Sequence, residues 1–148
     1  KHFRRWFVFV GMCLLLWNSA PVKCEEFWVV ATVRSYHLDR TGNGNEANYG
    51  IGGELSLNRS WNIAAGEYLN TKRRTSVYAT VGYTPLHVQT LKFGGTIGAI
   101  TGYTQRVSPM FAFLASNEGK EWGGNLLAFP PFEKGSRWVF GLQIKRRF

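Results

Sequence analysis

Apolar and polar residues alternate with a period of two along most of this chain, and eight runs carry the pattern. The last run is the clearest. Trp138, Phe140, Leu142, Ile144 and Phe148 share one parity, interrupted by Arg146; Arg137, Gly141, Gln143, Lys145 and Arg147 share the other, Val139 excepted. Successive side chains of a strand point to opposite faces, so this stretch predicts a strand with one apolar and one polar face. Seven earlier runs have the same character, at residues 27–37, 48–57, 61–69, 75–83, 87–103, 107–115 and 122–129. Turn residues separate them: a Gly- and Asn-rich stretch at 38–45, then 58–60, 70–74, Thr84-Pro85-Leu86, 116–121 and Pro130-Pro131. Pro109 interrupts the sixth run and is expected to break its ladder locally.

Eight strands of roughly ten residues with polar connections match the smallest membrane barrels. The expected fold is therefore a single all-β domain, an eight-stranded antiparallel up-and-down transmembrane β-barrel. Parity alone does not say which face is inside. A soluble lipid carrier would use the same alternation inverted, with its apolar residues inward. The terminal Phe148, the aromatic residues near strand ends and the expected absence of disulfides favour the membrane.

The start of the chain agrees. Lys1, Arg4 and Arg5 precede an apolar run at 6–17, which is too short for a spanning helix of about 20 residues. A charged start, a short apolar middle and a polar exit describe a signal peptide, with cleavage expected after Cys24. Residues 1–24 are then the leader and 25–148 the barrel. Such a cut removes Cys13 and Cys24, so the mature chain would have no thiol chemistry. The expected location is the bacterial outer membrane, with Phe148 as the signal read by the outer-membrane assembly machinery.

Charge changes the picture little. The formal net charge of +9 invites a nucleic-acid partner, but four of the 18 basic residues (Lys1, Arg4, Arg5, Lys23) lie in the leader. The rest are scattered, apart from Lys72-Arg73-Arg74 and Lys145-Arg146-Arg147, and no recognition motif accompanies them. No nucleic-acid partner is expected; a basic rim facing anionic lipid headgroups accounts for the charge.

Strand counting also places chemistry. In an up-and-down barrel alternate connections share a rim, so the loops at 38–47, 70–74, 104–106 and 130–136 lie opposite the termini. His37, Asp39, Asn70, Thr71, Ser76 and Tyr103 should therefore converge. A histidine base needs a hydroxyl partner and an orienting group; Thr71 and Ser76 supply the first, Asp39 and Asn70 the second. The alternative is an ordinary solvated rim. His87 falls at the opposite rim and His2 in the leader, so neither a metal site nor any other cofactor is expected. The inner face is bare, carrying Gly50, Gly52, Gly66, Gly82, Gly94, Gly98 and Gly102. It predicts either a slender cavity or close packing from across the barrel.

These features together resemble the outer-membrane lipid A palmitoyltransferases, PagP-like barrels. Tyr36-His37 ends the first strand before a polar loop, as the family's catalytic histidine does. Gly50-Ile51-Gly52-Gly53-Glu54 is similar to the family's glycine-rich second strand, and Gly82-Tyr83 and the stretch 94–102 to later ones. Asn70-Thr71 falls where the family has an Asp-Ser pair. Pro109, then Leu127-Ala128-Phe129-Pro130 and the terminal aromatic strand, resemble the strands whose prolines open a lateral gate. The resemblance implies transfer of an acyl chain from phospholipid to lipid A. His37 would be the base, Thr71 the nearest hydroxyl and Asn70 the orienting group. Lys72, Arg73 and Arg74 would meet phosphates, Pro109 and Pro130 would flank the gate, and Gly82 and Gly98 would line the acyl chain. The chain departs from the family in lacking the Asp-Ser carboxylate, the amphipathic helix before the first strand and the early-strand prolines. Fold is thus expected to transfer more readily than activity. The alternative is a non-enzymatic barrel with a lipid-binding or structural role.

Overall fold

The computed structural model describes residues 26–39, 44–132 and 134–148; the expected leader and its cleavage site lie outside these. Eight strands are present: β1 Glu26–His37, β2 Gly50–Ser56, β3 Trp61–Leu69, β4 Thr75–Val88, β5 Leu91–Thr101, β6 Val107–Glu118, β7 Trp122–Phe129 and β8 Val139–Arg147. Each pairs antiparallel with the next and β8 pairs with β1, which closes the barrel. The short turns and the last residues share one end, where Phe148 N donates to Phe27 O at 3.0 Å. The longer loops share the other.

The apolar face points outward. Ile51, Val77, Val81, Ile97, Phe113, Leu142 and Ile144 are exposed. The polar face points inward, and Glu54, Ser56, Ser76, Thr80, Thr96, Ser116, Asn125 and Lys145 are buried. Arg146, the exception in the closing strand, lies on the outside between the Trp122 and Phe148 rings, at 5.5 and 5.4 Å from their centroids. Cation–π contact accounts for a charge on an apolar face.

Two turn expectations change. β4 does not end at Thr84-Pro85-Leu86 but continues to Val88, with a register shift between Tyr83 and Leu86. A proline has no N–H for a regular ladder, yet a bulge tolerates it, so the strand bends rather than stops. The turn falls at Gln89, whose φ is 56°. β6 likewise runs on to Glu118, because Ser116 and Glu118 carry inward polar side chains that continue the alternation.

A second bulge has more consequence for chemistry. The β1–β8 register shifts between Thr32 and Arg34, leaving Val33 as the extra residue. Trp28 and Val30 are buried inside at even positions, but beyond the bulge parity inverts. Ser35 and His37 thereby share the inner side and Tyr36 is exposed.

The turn half of the interior is filled by charge. The Lys145 side chain has no exposed surface and its Nζ lies 2.7 Å from Glu54 Oε1 and 2.8 Å from Glu118 Oε1. Lys92 also pairs with Glu118, and Arg147 with Glu26 at 2.9 Å. Asn125 Nδ2 donates to the second Glu54 oxygen at 2.9 Å. Trp28, fully buried, lies beneath both Lys145 and Arg147 at 4.8 and 4.7 Å. Desolvating these ions is costly, and only mutual pairing offsets it. Lys145→Ala leaves two carboxylates without their shared cation and should destabilise the fold by about 3–5 kcal/mol in denaturant unfolding. Combining it with Glu54→Gln should cost less than the sum of the two single changes. Strict additivity would mean that the pair is not coupled.

Candidate functional site

The loop end is built differently from the turn end, and its ladder is interrupted. β6 pairs with β5 in unbroken register from Thr101↔Val107 to Leu91↔Asn117, through Ala99↔Pro109, so the break expected at Pro109 does not occur on that side. Its pairing with β7 begins only at Phe113↔Ala128. Val107 to Ala112 therefore have no ladder partner on the β7 side, where β7 stops at Phe129 before Pro130 and Pro131. At about 3.4 Å per residue the interruption runs for about 20 Å along β6. Pro109 lies within it and Pro130 follows the end of β7, and neither contributes an N–H to it. Inside the barrel beside this opening lies an apolar cluster of buried Ala112, Leu114 and Leu127 with Phe129 packed against it.

Outside, aromatic rings lean across the same seam. Phe111 meets Phe113 at 5.2 Å and Phe132 at 6.5 Å, and Trp138 stacks on Phe113 at 6.0 Å and on Phe140 at 6.4 Å. Ala128, paired with Phe113 on one side and Phe140 on the other, is small enough for rings from β6 and β8 to meet over β7.

His37 sits at the inner end of β1, on the same rim. Its Nε2 lies 3.3 Å from Ser35 Oγ, and its backbone N donates to Glu46 Oε1 at 3.3 Å. Ser35 Oγ in turn donates to Asn48 Oδ1. Asn48 is buried, with Nδ2 donating to Leu69 O at 2.8 Å. The segment 44–48 straps the end of β1, since Ser35 N donates to Glu46 O at 2.9 Å.

Asn70 is fully buried and committed to its turn. Its Nδ2 donates to Ser76 Oγ and to Gly102 O, both at 2.9 Å. Its Oδ1 accepts from Lys72 N at 2.8 Å and Arg74 N at 3.0 Å. The turn it caps includes Arg73 in the left-handed region, with a φ of 58°. Thr71 is half-buried, and its carbonyl accepts from Asn45 N at 2.9 Å. Among the described residues the His37 side chain bonds to Ser35 rather than to Asn70 or Thr71. Lys72, Arg73 and Arg74 are exposed on the loop rim, with Lys72 Nζ donating to Thr104 Oγ1 at 3.3 Å. Tyr68 and Tyr103 share a hydroxyl contact of 2.9 Å below them.

The inner glycines are close-packed at the positions expected to line a chain. A Cβ at Gly52 or Gly66 would lie 2.7 or 2.8 Å from the Tyr78 hydroxyl, which occupies the space above both. Gly82 lies against the Asn62 amide, and Gly98 against the Ala79 carbonyl. Among the described residues no three His, Cys, Asp or Glu side chains come together as a metal site.

Sequence reasoning missed Ser35 and Asn48. Ser35-x-His37 is a same-face spacing on any strand, which was a usable signal. The inward direction of that face rests on the Val33 bulge, which leaves no mark in the alternation. Compared with known proteins, the chain matches no protein-family model and no curated protein.

Asn70→Ala removes four hydrogen bonds from a buried turn and should destabilise the barrel by about 1–3 kcal/mol in denaturant unfolding. An unchanged midpoint would mean that the turn does not depend on this amide.

Proposed function

We propose that the protein is a bacterial outer-membrane barrel of the lipid A palmitoyltransferase type, which admits a phospholipid acyl chain sideways between β6 and β7. The observation that carries the reading is the interrupted β6–β7 ladder beside the inner apolar cluster of Ala112, Leu114, Leu127 and Phe129. An acyl chain crossing a closed ladder would have to break backbone hydrogen bonds, whereas here there are none to break. Insertion in a bilayer is supported by the outward apolar face and by exposed Trp61, Tyr83, Trp122 and Phe148 towards the turn end, the aromatic girdle of membrane barrels.

The chemistry is acyl transfer between two lipids. The ester bond of the donor phospholipid breaks, and its acyl carbon bonds to a hydroxyl oxygen of lipid A. The hydroxyl proton passes to His37 and from there to the departing lysophospholipid oxygen. Lys72, Arg73 and Arg74 meet lipid A phosphates from the rim. Asn70 is committed to its own turn, and the hydroxyl in hydrogen-bond contact with the His37 ring is that of Ser35.

A second reading, a non-enzymatic lipid-binding or structural barrel, is favoured by one observation. Among the described residues the His37 ring bonds to Ser35 and not to Thr71 or Asn70, the residues at the positions of the family's Asp-Ser pair.

In vesicles containing brominated phospholipids, tryptophan emission should be quenched; a protein that stays dispersed in buffer without detergent and unquenched would rule out the membrane barrel. Cells making the chain should carry lipid A heavier by one acyl chain in mass spectra, and His37→Ala should abolish that increment. Lipid A of unchanged mass, with the folded barrel present in the outer membrane, would select the non-enzymatic reading.

A further inference from the structure

We infer that Ser35 and Asn48 are positioning residues that hold the His37 imidazole in a single neutral form, with the proton on Nε2 and the lone pair of Nδ1 free to act as base. The use of that lone pair on a lipid hydroxyl rests on the acyl-transfer reading above; the protonation form itself does not.

Donors and acceptors are fixed in turn along one chain of bonds, from Asn48 through Ser35 to His37. Asn48 Nδ2 faces two carbonyl oxygens, Leu69 O at 2.8 Å and Asn45 O at 3.4 Å. A carbonyl only accepts, so the amide nitrogen must be the atom on that side, and the Asn48 oxygen is turned to Ser35. A hydroxyl has one proton. Ser35 spends it on Asn48 Oδ1, which leaves its oxygen as an acceptor towards His37. His37 Nε2, at 3.3 Å from that oxygen, is then the donor. The neutral ring carries one N–H, so Nδ1 is the basic nitrogen.

The arrangement is held from both sides. Asn48 is 3% exposed, so its amide is not free to exchange partners with water. The backbone of β1 is fixed at the same place by Ser35 N on Glu46 O and His37 N on Glu46 Oε1. The three side chains come from β1 and from the segment just before β2, brought together by the Val33 bulge and the 44–48 strap. The same logic excludes Ser35 as a nucleophile activated by His37 in this state. Its proton is directed at Asn48, away from the ring, and its role is to set which nitrogen is free.

The test is the ring itself. In 15N-labelled folded protein in detergent micelles, at a pH where His37 is neutral, long-range proton–nitrogen spectra report which nitrogen carries hydrogen. His37→Gln assigns the signals. We expect one tautomer, Nε2–H, exchanging slowly with water. Ser35→Ala should replace it with a rapidly exchanging mixture, whereas Ser35→Thr, which keeps the hydroxyl, should preserve it. Asn48→Leu frees the Ser35 proton to turn towards Nε2, and an Nδ1–H population should emerge. Should the Asn48 variant fail to fold, the Ser35 pair alone decides. A wild-type ring protonated on Nδ1, or a Ser35→Ala spectrum identical to wild type, overturns the inference. The expected spectra together with unmodified lipid A support the positioning and overturn the acyl-transfer reading alone.

Discussion

The ammonium of Lys145 has no exposed surface and sits between two carboxylates from distant parts of the chain, Glu54 on β2 and Glu118 on β6. Much of the molecule depends on that contact. A buried ion of this kind is tolerable only when its partners are held in place, and here the wall of the barrel holds them. In return the pairing ties three strands together across the interior, between positions that the backbone ladder does not connect. Around it Lys92, Glu26, Arg147, Asn125 and the ring of Trp28 complete a polar filling, so the charges of the turn half compensate one another.

That filling divides the barrel. The turn half has a dense interior and, apart from the β4–β5 shift between Tyr83 and Leu86, regular ladders, with β6 and β7 paired from Phe113 to Glu118. The loop half carries most of the irregularities: the Val33 bulge, the unpaired stretch of β6, the early end of β7 and the Asn70 turn. Regular ladder is the stiffest arrangement a strand has, and the region where it lapses is where a bulky partner can enter and where side chains can be re-aimed. The histidine, the interrupted β6–β7 ladder and the basic rim all fall in this half.

The two glycine readings also separate physically. Close approach, and not a void, accounts for Gly52 and Gly66, because the Tyr78 hydroxyl stands where their side chains would be. The apolar part of the interior is on the opposite wall, where Leu114, Leu127 and Phe129 pack together. The interior thus has a polar wall of tyrosines and amides facing an apolar wall next to the opening. An acyl chain entering between β6 and β7 would meet the apolar wall first.

The sequence by itself determined the eight strands, their antiparallel order and the rim shared by His37 and Asn70. Each of these follows from local properties, a period of two and the turn residues between the runs. Trp61–Leu69 and Trp122–Phe129 have the bounds that alternation predicts. What the tertiary structure decided is whatever depends on two strands at once. Alternation is symmetric between inside and outside, so only closure of the barrel showed that the polar face is the inner one. A bulge is a mismatch between partners, so neither the continuation of β4 past Pro85 nor the inward turn of Ser35 and His37 could be read from one strand. Asn48 and Asn70 look alike in the chain; their different partners, a serine beneath a histidine and a closed turn, exist only once distant residues are brought together.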